Sequence, residues 1–213
     1  MNRPLIISDC DEVLLHMVAP FRDWLGAEHD VDFLMEGADF ANALRWRSTG
    51  EPLEPADIWK YLGLFFDTEM DSQLPIAGAI EGINTLAEKA DVVILTNLTD
   101  ARQEHRRQQL EKHGVHARVF TNQGPKGPAL QSILDEYRPS RAVFIDDLPQ
   151  HHASARETLS GHASAIATLH LCGEPLLAPH IDCAHKAGHA DARIDNWAEA
   201  LPWLLDRIEG ETA

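Results

Sequence analysis

The stretch P-L-I-I-S-D-C-D-E-V-L-L, Pro4 to Leu15, decides how the rest of the chain is read. Leu5, Ile6 and Ile7 form a short apolar run with β-branched residues, too short for a helix, and it stops at two aspartates one residue apart. The pattern predicts a buried strand that delivers Asp9 and Asp11 to its carboxyl end, where an open parallel sheet binds its ligands. Two like charges this close repel unless a cation or a shared proton relieves them. D-x-D also occurs in loops and at helix caps, so the pair needs support from elsewhere in the chain.

Composition limits what that support can be. The chain has 213 residues, enough for one full-sized domain with a substantial core and a smaller inserted module. No apolar run is long enough to span a bilayer, and Met1-Asn2-Arg3 leads directly into the first strand, so neither a membrane span nor a signal peptide is expected. Cys10, Cys172 and Cys183 make an odd number without close pairing, which argues against a disulfide framework and for a reducing cytoplasm. A formal charge of -16 repels nucleic-acid backbones and anionic membranes, and suits a protein that holds cations.

After residue 75 helical and strand patterns alternate, as a layered α/β fold requires. A helix is expected over 75–89, with Ile80, Ile83, Leu86 and Ala87 on one face, followed by an apolar strand from Val92 to Leu95 that ends at Thr96-Asn97. Thr99 or Asp100 then caps a polar helix that stops at Gly114. Further strands are expected at Ala117 to Phe120, Ala142 to Ile145, Ala165 to Leu169 and Ala192 to Ile194. Lys126, between Pro125 and Pro128, opens a helix with Leu130, Ile133, Leu134 and Tyr137 on its apolar face. The strand at Ala142 again ends in acids, Asp146-Asp147; a helix from about Gln150 to Leu159 and a last one from Trp197 complete the pattern.

The segment 16–74 breaks this rhythm. Phe21, Trp24 and Leu25 fit one helical face, Ile58, Leu62, Phe65 and Phe66 another, and no convincing strand separates them. The expected organisation is therefore an α/β core of 1–15 and 75–213 with a small helical cap, 16–74, inserted after the first strand. Seated over the carboxyl edge, the cap would exclude water and select substrates. Trp59 and Phe65 are expected to pack its interior, whereas Arg45 and Arg47, in its middle from Glu36 to Pro52, are candidates for substrate contact.

If the strands are parallel, Asp9, Asp11, Thr96, Asn97, Lys126, Asp146 and Asp147 all meet at one edge. Carboxylates gathered with one lysine and one hydroxyl make sense around a divalent cation and a phosphoryl group. Asp9, Asp146 and Asp147 would supply the oxygen shell that Mg²⁺ prefers, and the Thr96 hydroxyl, the Asn97 backbone N–H and the Lys126 ammonium would cradle phosphate oxygens.

At this point D9-C-D-E-V, V-I-L-T96-N, P-K126-G and V-F-I-D146-D147 resemble the four ordered motifs of the haloacid dehalogenase-like hydrolase superfamily, phosphatase branch with a small helical cap. The resemblance covers nearly the whole chain. It implies a Rossmann-like three-layer parallel sheet, Asp9 as nucleophile, and Asp11 as general acid and base. Thr96, Asn97 and Lys126 become phosphate ligands, and Asp9, Asp146, Asp147 and the Asp11 carbonyl become magnesium ligands. The implied activity is hydrolysis of a small soluble phosphate monoester through an aspartyl-phosphate. F65-F66-D67 to P75-I-A-G78-A also resembles the deoxyribonucleotidase branch, which points to a nucleoside monophosphate. A second acid at Asp11 favours phosphoryl transfer over dehalogenation, because a halide leaving group needs no proton. A phosphomutase, or a non-catalytic phosphate-sensing or partner-binding module of the same fold, stays open beside the phosphatase.

Some residues depart from that pattern. Glu12 stands where many members have glycine; an outward-pointing acid is expected, as acids are normally solvated. Cys10 is expected to behave as a small buried hydrophobe. His151-His152 is expected to lie in an exposed first helical turn. Cys172, His180, Cys183, His185 and His189 form a loose cluster whose spacing matches no compact zinc pattern.

Overall fold

The structure is a computed structural model that describes residues 3–34, 43–161 and 166–210. Residues 36–42 of the expected cap middle, the expected strand start at Ala165, and Met1-Asn2 lie outside the described residues. Six strands form one sheet in the order β5-β4-β1-β6-β7-β8, every neighbouring pair parallel. They are β1 (Leu5–Ser8), β4 (Asp91–Thr96), β5 (Arg118–Thr121), β6 (Ala142–Asp146), β7 (Ile166–His170) and β8 (Ala192–Arg193). β1 lies at the centre, with β4 on one side and β6 on the other, so the strand order reverses there. That reversal opens a crevice beyond the carboxyl ends of β1, β4 and β6.

The alternation of side chains along β1 explains the three layers. Ile6 faces a core shared with Ile83 and Leu86 of α3 (Ala79–Lys89), Leu110 of α4 (Gln103–Lys112) and Leu204 of α7 (Trp197–Glu209). Leu5 and Ile7 face the other way, onto Leu130 and Ile133 of α5 (Gly127–Tyr137) and Ala155 of α6 (Pro149–Leu159). Because both faces are covered, the central strands are apolar throughout rather than alternating. The helix expected from residue 75 begins only at Ala79, because Gly78 sits at φ 79°, outside helical geometry. Neither Thr99 nor Asp100 caps α4 through its side chain; a 3₁₀ turn, Asp100–Arg102, intervenes, and Asp100 instead accepts from the Thr121 hydroxyl.

Segment 16–74 folds as α1 (Val18–Glu28), a two-stranded antiparallel sheet of β2 (Val31–Phe33) and β3 (Leu44–Trp46), and α2 (Pro55–Thr68). The strand pair corrects the purely helical reading of this segment: three-residue strands are too short to leave a period in the sequence. Its two connections to the sheet run side by side, with the His16 N–H donating to the Leu74 carbonyl at 2.9 Å. Phe21, Trp24, Phe65 and Phe66 form its aromatic core, which extends to Leu98, Cys172 and Leu177 on the loops after β4 and β7. Those contacts seat the segment over the carboxyl edge of the sheet.

Candidate active site

Asp9 sits at the end of β1 and continues its pairing with β6, its N–H donating to the Ile145 carbonyl at 2.8 Å. That register brings it beside Asp146, and one carboxylate oxygen each from Asp9, Asp146 and Asp147 lies within 4.8 Å of the others, all three residues buried. Lys126, fully buried at the entry to α5, places Nζ 2.9 Å from Asp9 Oδ2 and 2.7 Å from Asp146 Oδ2. Burial, opposed by Lys126 and reinforced by Asp146 and Asp11, pushes Asp9 up to about 7. Burial and the neighbouring Asp146 and Asp9 carboxylates push Asp147 well above the usual carboxylate range. Asp146 is also buried, yet Lys126 holds it below that range. One lysine therefore does not balance three buried acids. The donor set, all carboxylate oxygen, fits a hard divalent cation, whose charge would reverse the upward shifts.

Thr96, at the end of β4, is buried, and its hydroxyl has no hydrogen-bond partner among the described residues. Asn97 next to it is exposed; its side chain donates to the Gly124 carbonyl at 3.0 Å and accepts from Asn122 Nδ2 at 2.8 Å. The main chain from Asn97 to Pro125 is thereby tied together just ahead of Lys126.

Asp11 points to a different set of partners. Arg106 Nη2 donates to both of its oxygens, at 2.9 and 3.0 Å, and Gln73 Nε2 donates to Oδ1 at 2.8 Å. Arg106 is fully buried on α4, with Nη1 also 3.1 Å from Cys10 Sγ. The expectation for Cys10 holds: it is buried, and burial pushes its thiol up to about 12. Sequence reasoning missed Arg106, because Q-E-H-R-R-Q-Q-L-E-K reads as a solvated helix. The available signal was that its buried residues, Arg106, Gln109 and Leu110, share the i, i+3, i+4 spacing.

Three expectations are corrected. Glu12 does not point outward: it is 2% exposed, at φ 60°, and Oε1 accepts from the Met17 and Val18 N–H groups at 2.8 and 2.5 Å. The positive φ keeps a turn suited to glycine, and the carboxylate satisfies the start of α1. His151 and His152 are buried rather than exposed, because the first turn of α6 packs behind the acid pair. His152 Nε2 is 3.0 Å from the Asp146 carbonyl, and His170 Nε2 is 2.7 Å from the Asp147 carbonyl. His170 Nδ1 accepts from the Ala184 N–H, so Nε2 carries its proton and donates. Burial lowers His170 to about 4, consistent with a neutral ring that orients the acid-bearing loop.

The third correction concerns the cap. Trp59 is 71% exposed and lines the crevice instead of packing within the cap, whereas Phe65 is fully buried. Arg47 pairs with Asp32 and the Gly26 carbonyl, and Arg45 donates to the Gly50 carbonyl, so both brace the cap itself. The arginine that lines the crevice is Arg102, held by Asp67 at 2.7 Å. Cys172, His180, Cys183, His185 and His189 provide no group of three ligating atoms within 4.8 Å among the described residues. The crevice between cap and sheet edge has a volume of about 1070 Å³; Asp9, Asp11 and Asp147 lie in its wall with Phe33, Ile58 and Phe66.

No protein-family model and no curated protein matches the chain. Solved structures do. A haloacid dehalogenase-like family hydrolase from Streptococcus pneumoniae superposes with a TM-score of 0.63 at 13% identity, covering 95% of this chain and 98% of that one. A haloacid dehalogenase-like family hydrolase from Xanthomonas campestris gives 0.55 at 15% identity, with 98% and 97% covered. A structure described as a "predicted phosphoglycolate phosphatase" from Haemophilus somnus gives 0.59 at 12% identity, with 94% and 97% covered. The chain has the fold of haloacid dehalogenase-like hydrolases.

Proposed function

We propose that the protein is a magnesium-dependent phosphatase that hydrolyses a small phosphate monoester by way of an aspartyl-phosphate on Asp9. The observation that carries this reading is the meeting of Asp9, Asp146 and Asp147 around one point with Lys126 bonded to two of them. Asp9, Asp146 and Asp147 would hold the cation, which supplies positive charge that lets an anionic nucleophile approach an anionic phosphate. Lys126 adds to that charge, and the Thr96 hydroxyl, without a hydrogen-bond partner among the described residues, and the Asn97 N–H would bind phosphate oxygens.

In the first step an Asp9 oxygen forms a bond to phosphorus while the ester oxygen leaves and takes a proton from Asp11. In the second, a water attacks phosphorus and gives its proton to Asp11, and the bond to Asp9 breaks, returning the carboxylate and releasing phosphate. Arg106 and Gln73 fix the Asp11 carboxyl for both steps. Segment 16–74 acts as the cap that closes the crevice, and Arg102 anchors α2 through Asp67 and Gly63.

The crevice also bears on the leaving group. Its volume of about 1070 Å³ and its apolar wall exceed the needs of a two-carbon acid and suit a ligand with a ring system, such as a nucleoside monophosphate. No helix among the described residues is long and apolar enough to cross a membrane; three free cysteines favour the cytoplasm.

Turnover of p-nitrophenyl phosphate with magnesium tests the reading. The native protein is expected to release p-nitrophenol and Asp9→Asn to lose at least about 10³-fold in rate. Equal release by both would remove the proposal. A panel of nucleoside monophosphates, sugar phosphates and phosphoglycolate, ranked by kcat/KM, then identifies the leaving group.

A further inference from the structure

Apart from the Asp9 centre, one more group of ligating side chains is gathered among the described residues: Glu12, His16 and Glu174 offer one donor atom each within 4.8 Å of one another. Glu12 and Glu174 are 2% and 5% exposed, and neither carboxylate pairs with a lysine or arginine among the described residues. Each has one oxygen engaged with backbone: Glu12 Oε1 with Met17 and Val18, Glu174 Oε1 with the Leu176 N–H at 2.8 Å. Glu12 Oε2 is buried without a hydrogen-bond partner among the described residues. His16 Nδ1 lies 2.8 Å from Glu174 Oε2 but is not aligned for a hydrogen bond with it. The spacing of His16 and Glu174 is that of an ion pair, and an ion seated among the three groups would replace that pair and give the unpartnered Glu12 oxygen a ligand bond.

We propose that Glu12, His16 and Glu174 form a second cation site, for a divalent transition metal such as zinc or manganese, that clamps the entrance of the cap to the loop after β7. The ligand chemistry separates it from the Asp9 centre. Three carboxylates suit magnesium, whereas an imidazole with two carboxylates favours a transition ion. Its position gives it a purpose. Glu12 and His16 lie on the first connection into the cap, the His16 N–H bonds to Leu74 on the return connection, and the Glu12 carbonyl accepts from the Gly173 N–H at 2.7 Å. An ion bound there would join the first connection to the loop after β7, with the return connection held to them through the His16–Leu74 hydrogen bond.

The full-length Asp146→Asn/Asp147→Asn variant, with the first centre disabled, is dialysed against zinc in excess magnesium, and its metal content and melting temperature are measured. About one zinc per chain is expected, with a raised melting temperature. Adding either His16→Gln or Glu174→Gln is expected to abolish both effects, circular dichroism confirming that the variants are folded. Zinc retained undiminished in both would place the ion elsewhere and overturn the proposal. No zinc in the starting variant, with manganese also absent when substituted, would leave Glu12 and Glu174 as a carboxyl pair and overturn the proposal.

Discussion

Asp11 is held by partners from two distant parts of the chain, Gln73 at the exit of the cap and Arg106 on α4, while Asp9 two residues earlier faces Lys126 and the acid pair. Neighbouring carboxyl groups are thus given separate environments and, in the proposed mechanism, separate tasks. Arg106→Lys keeps the charge but not the planar guanidinium whose Nη2 holds Asp11 while Nη1 holds Cys10 Sγ. It is expected to lower kcat by about 10- to 100-fold with KM within a few-fold of native; a parallel loss confined to KM would show that Arg106 does not orient the acid. Glu12→Ala leaves the first N–H groups of α1 without their acceptor while the positive φ persists, and urea denaturation should register a loss of about 1–2 kcal/mol. Asp9, Thr96, Lys126, Asp146 and Asp147 could be read from the sequence because each follows an apolar strand or opens a helix. Arg106, His170 and the inward turn of Glu12 could not, since burial of a polar side chain depends on neighbours remote in the chain.

The strands of the sheet left clear traces because both faces are covered and their residues are apolar without interruption. β2 and β3 left none: V-D-F and L-R-W are short, and each has a polar residue in the middle. Close packing between helices was equally hidden. A Cβ on Gly127 would come within 2.2 Å of Thr158 Oγ1 and 2.4 Å of the Ser154 carbonyl, so only glycine lets α5 approach α6. The same contact aims Lys126, one residue earlier, at the acids. Gly127→Ala should therefore cost about 1–3 kcal/mol of stability, seen in thermal melts, and lower phosphatase activity as well; stability lost with full activity retained would separate helix packing from lysine placement.

Considered entire, the molecule is strongly acidic and gathers several of its acids into one buried point beneath the cap. A divalent cation should relieve their repulsion, so EDTA is expected to abolish turnover and lower the melting temperature, and magnesium to restore both. The fold and the edge at which the site lies could be inferred from motif order. The size of the crevice and the exposure of Trp59 could not, because they depend on how the cap sits against the loops after β4 and β7. The proposed mechanism requires that Asp9 bond covalently to phosphorus. Acid-quenching the protein during turnover, reducing with borohydride and mapping peptides by mass spectrometry tests it most directly. Conversion of Asp9 alone to homoserine, dependent on substrate and magnesium, is the predicted result; conversion at another residue, or none in a protein that turns over, would contradict it.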